Sequence, residues 1–187
     1  MVNLSKMNPR PSKICSIDAS TNSMAFAIFE DESLRLFGKI SFYGLNTYSK
    51  VADAAKKCVV FFERFGEHID AIVIEHTVYL NSPKTAADLA LVQGALLGAA
   101  AQNKIRLAGS INPIAWQTFI GNGKLTKDEK LRIRKDIPGK SESWYKNYER
   151  EFRKQRTINV TNIKYDINNS DNDVADAIGV GQYTINN

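Results

Sequence analysis

The run AIVIE at residues 71–75 constrains this chain more than any other segment. Four apolar residues, three of them β-branched, stand in a row and end on a carboxylate. Five residues are too few for a helix, and continuous apolar character leaves neither face for water. That is the pattern of a strand in the middle of a sheet covered on both sides. A second apolar run, KICSID at 13–18, ends the same way, on Asp18. After the turn ASTNS, residues 24–30 (MAFAIFE) and 33–42 read as two further strands, making an antiparallel meander.

Helical spacing then alternates with strands. Val51, Ala54, Ala55, Cys58, Phe61, Phe62 and Phe65 predict a helix over 49–66 with Gly66 as its stop. Residues 84–102 predict a long helix and 105–111 a further strand. Asn112-Pro113 opens a short helix to Phe119. Thr126 with Glu129 forms a capping box for a helix to about Lys135. Residues 141–156 predict a charged, aromatic helix, 157–169 an irregular Asn-rich segment, and 170–183 a last helix. Residues 1–12 show little periodicity and read as a loose leader. The order implies an α/β fold with a mixed sheet in a single domain, 1–187.

Hydrophobic residues make up 43% of the chain, enough to bury a core, so global disorder is excluded. Cys15 and Cys58 lie in an apolar run and an amphipathic helix pattern and read as buried thiols, not a disulfide framework. The longest apolar stretch, 89–101, is interrupted by Gln93 and two glycines and is too short to span a membrane. With no secretion signal pattern at the start, the expected location is the cytoplasm. Net charge is +5 and uneven: residues 124–164 hold 13 Lys and Arg against six Asp and Glu, the remainder 12 against 14. A basic portion of this kind suits a polyanion, or else is a solvated helical surface.

Four carboxylates occupy telling places. Asp18 and Glu75 end apolar strands, and Asp173 and Asp176 lie three apart on one face of the last helix. Such groups repel one another unless a cation stands between them, and hard oxygen donors favour Mg²⁺ or Mn²⁺. Two such ions can activate a water and stabilise a leaving oxygen in phosphodiester cleavage. Each residue also has a plain structural reading: Asp18 capping its turn, Glu75 an exposed strand end, Asp173 completing a capping box with Ser170.

SIDAST, AIVIEH and DNDVADAIGVGQY, in that order and spacing, resemble the acidic motifs of the RuvC family of Holliday junction resolvases. FIGNGKLTKDE resembles that family's glycine turn after the fifth strand. The resemblance runs over about 13–135, resumes near 170, and looks closest to divergent phage-type members from phages of Gram-positive bacteria. It implies a ribonuclease-H-like fold with a mixed five-stranded sheet flanked by helices. It also implies a Mg²⁺-dependent homodimer, with Mn²⁺ as substitute and two ions per site, that nicks two strands of a four-way DNA junction. Asp18, Glu75, Asp173 and Asp176 then become the metal ligands. Lys127 matches a basic residue that stabilises charge on the scissile phosphate, with Lys124 as its rival. There are departures: a family lysine falls on Trp116, the aromatic wedge falls on Val78 or, preferably, Tyr79, and 138–169 is an insert relative to compact bacterial relatives.

Within 141–156, Tyr145, Tyr148 and Phe152 have the spacing of core packing, while Arg150, Arg153 and Lys154 form the candidate DNA-binding surface. Helix 84–102 has almost no polar face, and Ala90, Gly94 and Gly98 repeat every four residues. This predicts a homodimer through that helix, the alternative cover being the chain's own 112–156 segment. Competing readings are a less selective flap, fork or structured-nucleic-acid nuclease on the same fold, and a non-catalytic DNA-binding module. A third is an actin-like phosphotransferase, for which the chain is short and lacks a glycine-rich adenosine segment.

Overall fold

The computed structural model describes residues 4, 7, 11–76 and 82–187. The three predicted N-terminal strands are β1 (Lys13–Ala19), β2 (Ser23–Glu30) and β3 (Ser33–Ser41), followed by helix α1 (Thr47–Phe65). The buried run is β4 (Ala71–Glu75), followed by α2 (Pro83–Gln102), β5 (Arg106–Ile111) and α3 (Pro113–Phe119). Helices α4 (Lys127–Asp136), α5 (Glu142–Tyr165) and α6 (Asn172–Ile185) complete the described chain. The strands form one mixed sheet in the order β3-β2-β1-β4-β5, with β1–β2 and β2–β3 antiparallel and β1–β4 and β4–β5 parallel.

Strand alternation divides the core between two faces. Cys15, Ile17, Met24, Phe26, Ile72 and Ile74 pack with Cys58, Phe61 and Phe62 of α1 and Val92 and Leu96 of α2. The opposite set, Ile14, Ala71 and Val73, packs with Ile111, Trp116 and Val180, and Ala25, Ala27 and Phe29 with Val174, Ala177 and Ile178 of α6. Helix α6 approaches the sheet closely. Ser16 Oγ donates to Ala177 O at 2.7 Å, and at Gly181 a Cβ would collide with the Phe29 ring and Ser16 Oγ. Leu4 is also buried against this second face, although it lies in the segment read as a loose leader.

One secondary-structure expectation fails. Residues 157–165 are not irregular but continue α5, which stops only where Asp166 takes a left-handed conformation (φ 50°). Burial of Thr157, Ile158 and Thr161 outweighs the poor helix propensity of the Asn and Thr residues around them. Asn162 then clamps the following loop, donating to Asn169 O at 2.9 Å and accepting from Asn169 N at 3.0 Å. The aromatic set on the same helix is divided. Tyr145 is buried with its hydroxyl donating to Ile137 O, Tyr148 stacks on Trp144, and Phe152 is exposed.

Candidate active site

Parity brings the carboxylates together. Asp18 follows Ile14 and Ser16 on the α6 face of β1, and Glu75 follows Ala71 and Val73 on the same face of β4. The parallel register pairs Ile17 with Ile74, so Asp18 and Glu75 stand side by side one residue further on. Helix α6 covers this face and carries Asp173 and Asp176. Its N-cap is Asp171, whose side chain accepts from Asp173 N and Val174 N. The capping duty expected of Ser170 and Asp173 therefore falls on Asp171, and the Asp173 side chain is left for other partners.

The electrostatics are those of crowded acids. Burial pushes the Asp18 carboxyl well above its ordinary range, and the charges of Glu75, Asp176 and Asp173 add to this. Burial also raises Glu75, against opposing hydrogen bonds from Trp116 and Asp18. Asp176 is pushed up to about 8, first by burial and then by Glu75 and Asp173, with Asn172 and Lys154 opposing. Asp18 and Glu75 thus share a hydrogen bond that needs a proton on one of them.

Three neighbouring side chains each bond one oxygen of the cluster. Trp116 Nε1 donates to Glu75 Oε1 at 2.8 Å, Asn172 Nδ2 to Asp176 Oδ2 at 3.2 Å, and Lys39 Nζ to Asp173 Oδ2 at 2.6 Å. Among the described residues, no three Asp, Glu, His or Cys side chains are closed to the spacing of a metal shell. The donor chemistry nevertheless fits a hard divalent cation. Neighbouring carboxylates add to the effect of burial in raising the proton affinity of Asp18 and Asp176, and a cation between such groups would relieve that repulsion.

Beside Asp173 and Asp176 opens a cleft of about 320 Å³ lined by Gln117, Asn122, Arg150, Arg153 and Lys154. Arg153 donates to Gln117 Oε1 and Asn122 O, while buried Asn122 donates to Arg153 O and Thr157 Oγ1. Arg153 is thereby tied into the fold, whereas Arg150 is exposed at the rim. Lys154 is half-buried and paired with Glu151 at 3.1 Å. Lys124 and Lys127 are exposed, in the turn before α4 and at its first residue. Tyr79 and Val78 lie outside the described residues.

Sequence reasoning missed Lys39 and the role of Trp116. Lys39 had a usable signal: the antiparallel registers place Asp18 opposite Ala25 and Ala25 opposite Lys39, so one cross-strand row leads from the carboxylate to the lysine. Trp116 had none, because its partner lies 41 residues away across a helix–sheet contact.

No protein-family model and no curated protein matches the chain in sequence. Solved structures do resemble it. Thermus thermophilus RuvC in complex with a Holliday junction substrate aligns with a TM-score of 0.65 at 11% identity, over 91% of each chain. A second Thermus thermophilus RuvC structure gives 0.62 at 12%, over 91% of this chain and 92% of that one. The mixed five-stranded sheet flanked by helices is therefore the RuvC fold, as expected from the motifs.

Proposed function

We propose that this chain is a metal-dependent endonuclease that resolves four-way DNA junctions by paired nicks. The observation that supports it most is the convergence of Asp18, Glu75, Asp173 and Asp176 from two strands and a helix, beside a cleft lined by basic side chains. A non-catalytic DNA-binding module has no use for a buried acidic cluster, which repels phosphate.

In this reading the four carboxylates hold two Mg²⁺ ions, or Mn²⁺ in their place, which supply an activated water and charge stabilisation at the leaving oxygen. Arg150 and Lys154 receive the DNA backbone at the cleft, and Arg153 holds its wall. Lys127, the first residue of α4, is the candidate for stabilising charge on the scissile phosphate, with Lys124 in the preceding turn as its rival, and Tyr79 remains the candidate wedge. Fold similarity supports the substrate class: a protein with this sheet and helix arrangement has been seen holding a four-way junction.

Two symmetric nicks need two sites, so the working unit is a homodimer. Helix α2 packs on α1, β5 and β1, and its Ala90, Leu91, Gly94 and Gly98 are exposed, with open space at both glycines. The α3–α5 segment is not the main cover for this stripe, and a symmetry mate is the cover proposed here. No helix among the described residues is long and apolar enough to cross a membrane; we place the protein in the cytoplasm, that of a bacterial host if it is phage-encoded.

The decisive experiment is cleavage of matched synthetic four-way, three-way and flap DNAs with Mg²⁺ and with a chelator. Asp18→Asn, Glu75→Gln, Asp173→Asn and Asp176→Asn are each expected to abolish cutting while junction binding persists. Any one of them cutting at the wild-type rate removes that residue from the site. Equal cutting of all three DNAs replaces junction resolution with a general branched-DNA nuclease.

A further inference from the structure

We propose that Trp116 is the positioning residue for Glu75: its buried indole N–H fixes Oε1 and so aims Oε2 into the acidic cluster. The inference rests on the metal-site reading above and adds a residue to it.

Trp116 is fully buried, between the second face of the sheet and α6. A buried indole N–H must find an acceptor, and here the acceptor is a carboxylate oxygen at 2.8 Å, not a backbone carbonyl. The donor is held stiffly. Asn112 caps α3 by accepting from Ile114 N at 2.8 Å, and His76 N donates to Ile111 O, so the ends of β4 and β5 are tied just where α3 begins. The other side of the ring lies against α6 at Gly179, one turn beyond Asp176, where a Cβ would come within 2.6 Å of Trp116 Cζ3. The indole is therefore a wedge that touches two of the three carriers of the cluster, β4 through Glu75 and α6 at Gly179. It sets the carboxylate of β4 relative to the helix bearing Asp173 and Asp176.

The chemistry of the donor is also apt. An N–H···O⁻ bond from a neutral ring holds an ionised carboxylate in one rotamer without bringing a positive charge that would compete with a metal. Hydrogen bonds of this kind behind metal-binding side chains typically change metal affinity by roughly 10- to 100-fold when removed.

The chain has two tryptophans, Trp116 and Trp144, so Trp144→Phe leaves a single indole N–H signal in a ¹⁵N–¹H spectrum. In that background Glu75→Ala is expected to move the Trp116 indole proton upfield and speed its exchange with water. An unmoved resonance overturns the proposal, and this test does not depend on any Trp116 variant folding. Trp116→Phe keeps an aromatic ring but loses the donor. It is expected to weaken calorimetric Mn²⁺ binding roughly tenfold and to raise the Mg²⁺ concentration for half-maximal cleavage by the same factor. The rate at saturating metal should stay within about threefold of wild type. Wild-type metal affinity in folded Trp116→Phe overturns the proposal. A wild-type protein that binds no Mn²⁺ overturns the metal reading instead, and the indole resonance still reports whether Trp116 holds Glu75.

Discussion

Lys39 Nζ lies 2.6 Å from Asp173 Oδ2 and 3.0 Å from Asp171 Oδ2, so a lysine from the edge strand β3 neutralises the head of the helix that bears two of the four carboxylates. The ammonium competes with any metal for Asp173. Replacing it by a neutral side chain of similar length, Lys39→Met, should tighten Mn²⁺ binding. A part-exposed pair worth about 1 kcal/mol corresponds to roughly fivefold. Calorimetric titration checks this, and unchanged or weaker binding would make Lys39 a member of the metal site, not its rival.

Stability should depend on pH in an unusual direction. Asp176 has its proton affinity raised by folding, to a pKa of about 8, and Asp18 and Glu75 are raised as well. The folded state therefore binds more protons than the unfolded chain between the ordinary carboxylate range and about pH 8. The stability that these three groups contribute is fully present at the acid end of that window and falls as pH rises through it. Metal-free protein should melt at a higher temperature near pH 5 than near pH 8, and Asp176→Asn should flatten the slope. Mg²⁺ should restore the loss at the alkaline end. A melting temperature that climbs from pH 5 to 8 without metal contradicts the proton assignment.

The α2 surface yields a test free of the usual folding ambiguity. Gly94 and Gly98 have open space where a side chain would go, so leucine there should cost the monomer nothing and gain helix propensity of roughly 0.8 kcal/mol. In a dimer packed on that stripe the same leucines clash. Sedimentation of wild-type protein should show about twice the 20.9 kDa chain mass, and Gly94→Leu or Gly98→Leu should halve it and turn paired nicks into single ones. A wild-type monomer at micromolar concentration, with and without junction DNA, rules the interface out.

The basic residues of α5 should separate by role. Arg150 is exposed at the cleft, and Lys154 is paired with Glu151 on its own helix, whereas Arg153 is bonded to Gln117 and Asn122. Arg150→Gln with Lys154→Gln should weaken DNA binding and reduce the slope of log affinity against log salt by roughly 0.9 per lost phosphate contact on duplex arms. Arg153→Gln should lower the melting temperature as well. An unaltered salt slope in the double variant would leave α5 a structural element.

Much of this architecture could be read before any coordinates. The apolar runs at 13–18 and 71–75 define the two central strands because only a doubly covered strand tolerates such composition, and the turn between 18 and 24 sets the antiparallel pair. Asp18 and Glu75 were visible because strand ends are visible. The end of α5 was not, because Asn159, Thr161 and Asn162 argue locally for a loop and only burial against α6 argues otherwise. Trp116 was visible as an apolar residue in a short helix, but its bond to Glu75 depends on how α3 docks, which no local pattern encodes.

The lock between Ser16 and Ala177 has a consequence for how the chain comes into being. Synthesis delivers β1 and β4 early, with Asp18 and Glu75 in place and the Ala25–Ala27–Phe29 face of the sheet bare. The helix that covers this face, and brings Asp173 and Asp176 with it, emerges only after residue 171. A nascent or prematurely terminated chain thus carries half of the acidic cluster on an unfinished sheet. On the proposed function, the ability to cut DNA and the completion of the core arrive in the same step, so a chain stopped before α6 is expected to lack both.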